Sequence, residues 1–262
     1  MLNDTTTVVD ISNVLSKVPQ VTFAFWIVKI LATTLGETGG DALSMTLNLG
    51  YAISSLIFLA FFLVTLVAQV KSKHYHPVFY WLVVVATTTV GTTTSDYFDR
   101  TLGLGYIKSS IILLAAVIAV LMSWRASTGA VQVDHITTRK NETFYWVTIL
   151  VSNTLGTALG DFVATDMGLG FERGALVFGG LIVLVAAMHV FTKAPASILF
   201  WAAYVLTRPL GATLGDMLTK PGVDGGLHLG RIMTSLVIGA VMIALVAVTP
   251  LRHRARAFAL DG

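Results

Sequence analysis

Apolar residues run through this chain in eight stretches, at 20-36, 47-70, 78-97, 104-124, 143-163, 171-191, 197-217 and 228-249. An α-helix needs roughly 20 mostly apolar residues to cross about 30 Å of hydrocarbon, so the pattern predicts eight transmembrane helices in an all-α membrane protein. Little chain is left between them: a segment at 1-19, a loop at 126-142 and a basic tail at 251-262. No basic segment precedes the first apolar run, so the first helix is expected to stay in place rather than be cleaved as a signal.

Four copies of one unit emerge when the odd-numbered stretches are aligned, at 20-71, 77-125, 143-192 and 195-250. Each carries an aromatic pair, Phe25-Trp26, Tyr80-Trp81, Tyr145-Trp146 and Phe200-Trp201. Ten residues after the tryptophan stands Gly36, Gly91, Gly156 or Gly211, and five further on stands Asp41, Asp96, Asp161 or Asp216. Nine residues beyond the first three aspartates come Gly50, Gly105 and Gly170; in the fourth copy the comparable Gly230 is fourteen away, with Lys220, Pro221 and Gly222 in the added turn. Three residue types at fixed offsets in four copies imply duplication. A two-helix unit returns the chain to the side it started from. Four parallel repeats are therefore predicted, related by a pseudo-symmetry axis along the membrane normal, with the odd helices gathered at the centre.

The fourfold unit resembles the bacterial membrane proteins defined by a tandem repeat of unknown function, each repeat having two transmembrane segments and a characteristic tryptophan. The resemblance covers about residues 20 to 249 and implies the architecture and a bacterial origin. It implies no activity, which must be argued from residues.

Composition agrees with a membrane protein: 55% of residues are hydrophobic, 12% charged, and the mean hydropathy is +0.79. The chain has no cysteine, which removes disulfides, thiolate metal ligands and thiol nucleophiles. Charge distribution says more than the net +3. With an even number of spans, Lys17, Lys71, Lys73, Arg125, Arg139, Lys140, Lys193, Arg252, Arg254 and Arg256 fall on one side. Arg100, Arg173, Lys220 and Arg231 fall on the other, so the positive-inside rule puts both termini in the cytoplasm of a multi-pass protein, and the resemblance implies that the membrane is a bacterial inner membrane. The run Arg252 to Arg256 reads as a topology anchor, and no nucleic-acid partner is expected.

Positions +3, +7, +11, +14 and +15 from each tryptophan lie within about 60° of it on a helix. The first helix carries there Lys29, Thr33, Glu37, Gly40 and Asp41; the second copy has Val84, Thr88, Thr92, Ser95 and Asp96. The third has Ile149, Asn153, Thr157, Gly160 and Asp161, and the fourth Tyr204, Arg208, Ala212, Gly215 and Asp216. A charge near the bilayer centre costs at least about 2.5 kcal/mol, so these stripes should face the interior of the bundle. The GxxxG spacing of Gly36, Gly156 and Gly211 with Gly40, Gly160 and Gly215 points to close helix packing. The tryptophans read first as interfacial anchors with some packing role. The four aspartates admit two readings, caps of the outer turns or an acidic ring to which Asp99, Asp166 and Glu172 add.

Glu37, Lys29 and Arg208 have no counterparts in the other copies, so the fold does not require their charge. Either Glu37 or Asp41 forms an internal ion pair with one of these bases, or the carboxylates alternate between holding a cation and a proton. Thr33, Thr88 and Asn153 add oxygen ligands to the stripe. Oxygen donors suit hard cations such as Mg2+, Mn2+, Ca2+ or a trivalent ion, with Glu37 and Asp41 as metal ligands. The expectation is a proton-coupled exporter of a hard metal cation, in which Asp96, Asp161 and Asp216 also serve the pathway. Its partners would be the bilayer, a small inorganic cation and protons; self-association as a homo-oligomer is left open. Two alternatives stand: an anion or small organic solute carrier using Lys29 and Arg208, and a non-transporting scaffold or sensor. No enzyme is expected and no cofactor, since no HExxH, phosphate-binding glycine loop or paired mid-membrane histidines occur.

Overall fold

The structure, a computed structural model, describes residues 17–72, 75–131, 136 and 138–260, with side chains except at 224 and 249–260. Most of the segment at 1-19, Lys73, the centre of the 126-142 loop, and the side chains of Arg252, Arg254 and Arg256 lie outside the described residues. All regular structure among the described residues is helical. Eight α-helices follow in order: α1 Phe23–Asp41, α2 Gly50–Lys71, α3 Pro77–Asp96, α4 Tyr106–Thr128, α5 Arg139–Asp161, α6 Gly170–Phe191, α7 Ala196–Thr219 and α8 Arg231–Leu260.

Local chemistry sets their ends. Thr22 and Thr138 cap α1 and α5 by accepting from the backbone N–H of Phe25 (3.3 Å) and Asn141 (3.2 Å), and Pro77 opens α3, where a missing N–H costs nothing. At the other end, α1, α3 and α5 each pass through one π-helical turn, Ala42–Thr46, Tyr97–Thr101 and Phe162–Asp166. Asn48, Gly103 and Gly168 then take positive φ, and Gly50, Gly105 and Gly170 take it again two residues later. The second position is glycine in all three copies because the left-handed region penalises any Cβ.

Helices α1, α3, α5 and α7 form a closed ring, each packed on the next and α7 on α1. Outside the ring α2 lies on α3, α4 on α5, α6 on α7 and α8 on α1, so each outer helix leans on the inner helix of the following repeat. Burial separates the layers: 72%, 67% and 67% of the apolar spans of α3, α5 and α7 are buried, against 22%, 22%, 17% and 6% for α2, α4, α6 and α8. The outer helices bare rows of large side chains such as Leu56, Leu63, Ile111, Leu176, Val183, Leu236 and Ile243. So much bare apolar surface on fully hydrogen-bonded helices belongs in lipid, and the chain is a multi-pass membrane protein.

Among the described residues seven helices are long and apolar enough to span a membrane on composition alone. The exception is α1, expected as the first span. It has 19 residues, and Lys29, Glu37, Asp41, three threonines and three glycines occupy so much of it that too little apolar length remains. Those polar groups are covered by α3 and α7 rather than by lipid.

The repeated residues make the ring contacts. A Cβ at Gly36 would collide with Thr88, at Gly91 with Asn153, at Gly156 with Arg208 and at Gly211 with Thr33. Each glycine thus receives the residue seven after the tryptophan of the next copy, as close packing at small residues requires. The aromatic pairs interlock in the same order: Phe25 meets Trp81 (ring centroids 5.7 Å), Tyr80 meets Trp146 (5.7 Å), Tyr145 meets Trp201 (5.9 Å) and Phe200 meets Trp26 (5.7 Å). Trp81, Trp146 and Trp201 are buried and Trp26 half-buried. The packing role expected of the tryptophans beside interfacial anchoring dominates: these rings form an aromatic plug at one end of the inner bundle, each against its neighbour's aromatic partner.

Candidate functional site

The inner helices deliver their polar stripes to a common interior. At the middle level Arg208 of α7 is fully buried, and its Nη2 donates to the Glu37 carboxylate of α1 at 3.1 Å. The same nitrogen donates to the hydroxyls of Thr157 on α5 (2.7 Å) and Thr92 on α3, and Thr92 in turn donates to Glu37 at 3.2 Å. One ion pair therefore touches all four inner helices. Thr92 and Thr157 occupy the positions equivalent to Glu37, so three copies meet Arg208 at one level.

Nearer the aspartate end the four repeated carboxylates are all buried. They do not cap the turns that follow: Asp41, Asp96 and Asp161 make no side-chain cap hydrogen bond. Cations hold them instead. Arg100 places Nε 3.0 Å from Asp96 and Nη2 3.1 Å from Asp161, while Lys220 lies 3.0 Å from Asp41 and 3.2 Å from Asp216. Arg231 adds an approach to Asp41 at 3.4 Å. Burial opposes the charge on Lys220, and Asp216 and then Asp41 more than restore it, so the amine titrates above the ordinary lysine value.

Arg100, Lys220 and Arg231 were read from the sequence only as topology charges. A signal was present: Arg100 and Lys220 each stand four residues after a repeated aspartate, one helical turn away, where the other two copies have Met45 and Thr165.

Three carboxylates converge. Glu37, Asp41 and Asp96, all buried, each offer an oxygen within 4.8 Å of the others. Asp41 Oδ1 and both oxygens of Asp96 accept no hydrogen bond among the described residues, an expensive condition for buried carboxylates and one that a cation relieves. The expected pair of metal ligands, Glu37 and Asp41, is thus joined by Asp96, with Asp161 and Asp216 held in the surrounding ion pairs.

The other predicted site residues are spread along the bundle. The Thr33 hydroxyl donates to the Thr207 carbonyl (3.1 Å), Thr88 to the Ala32 carbonyl (3.2 Å) and the Asn153 amide to the Thr87 hydroxyl (3.0 Å). These are bonds between neighbouring inner helices, not additions to the carboxylate cluster. Lys29 is fully buried with its Nζ 4.2 Å from the centre of the Tyr204 ring and without a hydrogen-bond partner among the described residues. Arg208, not Lys29, is the base paired with Glu37.

The acidic ring does not extend as expected. Asp99 is engaged by the hydroxyls of Ser95 (3.1 Å) and Ser109, and Asp166 and Glu172 are exposed.

The family model described as Repeat of Unknown Function (DUF347) matches the chain four times, at residues 24–75, 79–130, 144–194 and 199–255. Neither a curated protein nor a solved structure matches it.

Proposed function

Because the chain belongs to the Repeat of Unknown Function (DUF347) family, whose description carries no activity, we propose its function from its residues: a membrane transporter that exports a hard metal cation in exchange for protons. The observation that carries this reading is the convergence of Glu37, Asp41 and Asp96 within 4.8 Å in the interior of a membrane-embedded bundle. Carboxylate oxygens at this spacing suit Mn2+, Mg2+, Ca2+ or a trivalent ion, and the chain has no cysteine to favour a soft metal. Buried carboxylates that release such an ion must take up protons or pair with a base. Glu37 has that base in Arg208, which gives the cluster two ways to remain neutral while a cation leaves.

The architecture we propose is eight spans, with α1 held in the membrane by its neighbours and the four repeats sharing one orientation about an axis along the membrane normal. The cyclic order of glycine and aromatic contacts supports it. The placing of the tryptophan end and both termini in the cytoplasm, with the aspartates towards the outside, is part of the same proposal and is supported by the distribution of basic residues.

The test is proton flux in liposomes containing the purified chain. A gradient of Mn2+ should drive counter-movement of protons in wild type, and Glu37→Gln should abolish it; undiminished flux in that variant would sink the mechanism.

A second reading is a non-transporting scaffold or sensor. It is favoured by the hydrogen bonding around the Glu37–Arg208 pair, which joins all four inner helices as a structural lock would. Liposomes in which neither cation nor proton flux rises above that of empty vesicles would support it.

A further inference from the structure

The cation site and the protein's own cations use the same oxygens. Arg100 stands at the π-helical turn after α3, and its guanidinium is held by four groups. Nε is 3.0 Å from Asp96 and donates to the Tyr106 hydroxyl (3.0 Å), Nη1 donates to the Tyr51 hydroxyl (3.2 Å), and Nη2 donates to Asp161 (3.1 Å). Tyr51 and Tyr106 follow the left-handed glycines of copies one and two, so the repeated turn itself supplies two sides of the cradle. Lys220, one helical turn beyond Asp216, reaches Asp41 in the corresponding way.

All three converging carboxylates are thus already faced by tethered positive charge, Asp96 by Arg100, Asp41 by Lys220 and Arg231, and Glu37 by Arg208. A multivalent ion and a guanidinium cannot both be close to Asp96 without strong like-charge repulsion in a poorly screened interior. These tethered cations differ in their freedom to leave. The Arg100 side chain is 30% exposed, that of Arg231 24%, that of Lys220 10% and that of Arg208 0%. At Arg100 the Asp96 contact is electrostatic alone, since Asp96 accepts no hydrogen bond while Tyr51, Tyr106 and Asp161 do. As the most exposed of these cations, Arg100 is the one placed to swing outwards and leave Asp96 to an incoming ion.

We propose that Arg100 is a tethered counter-ion that neutralises Asp96 at the mouth of the bundle, and that a multivalent cation binds by displacing its guanidinium. The inference rests on the cation-site reading and adds that loading is competitive with the protein's own side chain. Positive residues four after the aspartate in copies two and four, and none there in copies one and three, then have a purpose. They balance alternate carboxylate pairs, and the one exposed to the mouth yields.

Binding of Mn2+ to the purified full chain in detergent, followed by its paramagnetic resonance signal, tests this directly. Wild type should bind, Asp96→Asn should bind much more weakly, and Arg100→Gln should bind on the order of tenfold more tightly than wild type, since one nearby like charge is gone. In Asp96→Asn the further change Arg100→Gln should give a smaller gain, because the contested carboxylate is absent. Should Arg100→Gln fail to fold, Arg100→Lys keeps the charge but loses the fork to Tyr51, Tyr106 and Asp161, and should also bind more tightly than wild type. Affinity equal to or below wild type in the folded Arg100 variant, with Asp96→Asn still impaired, overturns the displacement and leaves the site standing. No Mn2+ binding by wild type or any folded variant overturns both.

Discussion

Arg208 on α7 and Glu37 on α1 form a buried ion pair, 3.1 Å apart, inside a ring of threonine hydroxyls from α3 and α5. Removing one partner strands the other charge in the interior, which typically costs about 3–5 kcal/mol, whereas replacing both with apolar groups of similar size is often nearly neutral. Glu37→Leu and Arg208→Met should each lower the thermal stability of the detergent-solubilised chain sharply. The double variant should recover most of the loss. Additive losses in that cycle would show that the two residues are not a stability pair.

The inner bundle depends on glycine only where a neighbour occupies the missing side chain. At Gly211 a Cβ would fall inside the Thr33 side chain and 2.9 Å from its carbonyl carbon, while at Gly39, on the same kind of helix, nothing lies within 4 Å. Overpacking a tight contact costs about 1–3 kcal/mol. Exchange of an unconstrained helical glycine for alanine gains up to about 1 kcal/mol. Gly211→Ala should therefore destabilise and Gly39→Ala should be neutral or stabilising, read from unfolding in the same detergent.

Lys29 presents the opposite case, a buried side-chain amine whose only support among the described residues is the face of Tyr204. A cation–π contact of this kind is worth about 2 kcal/mol when desolvated, less than the several kcal/mol that burying an ion costs. Lys29→Met keeps the length of the side chain and removes that cost, so its thermal stability should rise. A fall instead would mean that Lys29 holds a bound group on which the bundle relies.

What the sequence made legible follows from period and spacing. Eight helices, four copies and the inward stripes could be read because Trp, Gly and Asp recur at fixed offsets, and a helix turns those offsets into one face. The expected internal ion pair was readable too, since Glu37 and Arg208 each break the repeat. Partner choice was not: Lys29 and Arg208 were equal candidates, and Arg208 takes Glu37 because Gly156 lets α7 approach α5 closely enough for the guanidinium to reach Thr157. For the tryptophans the balance of anchoring and packing was not legible, because a belt residue and a plug residue have the same depth along the helix, and only the cyclic contact with the next copy shows the packing. Arg100 and Lys220 were only half legible: their four-residue offset marks Asp96 and Asp216, but their second carboxylates, Asp161 and Asp41, come from another repeat, which no offset within one copy reveals.

The membrane status of α1 carries the last prediction. Its composition alone does not qualify it as a span, yet it is enclosed by α3, α7 and α8. If those neighbours hold it across the bilayer, Gln20 and Leu47, on either side of it and both exposed, lie on opposite faces of the membrane. The chain has no cysteine, so single cysteines can be introduced without background. Leu47→Cys and Val223→Cys, the latter 94% exposed between α7 and α8, should react with an impermeant maleimide on intact cells. Gln20→Cys and Ser127→Cys should react only after permeabilisation. Labelling of Gln20→Cys and Leu47→Cys from the same side would make α1 a re-entrant element. The four units would then no longer share one orientation, whereas the expected pattern leaves the aspartate end, with Arg100 at its mouth, facing outwards.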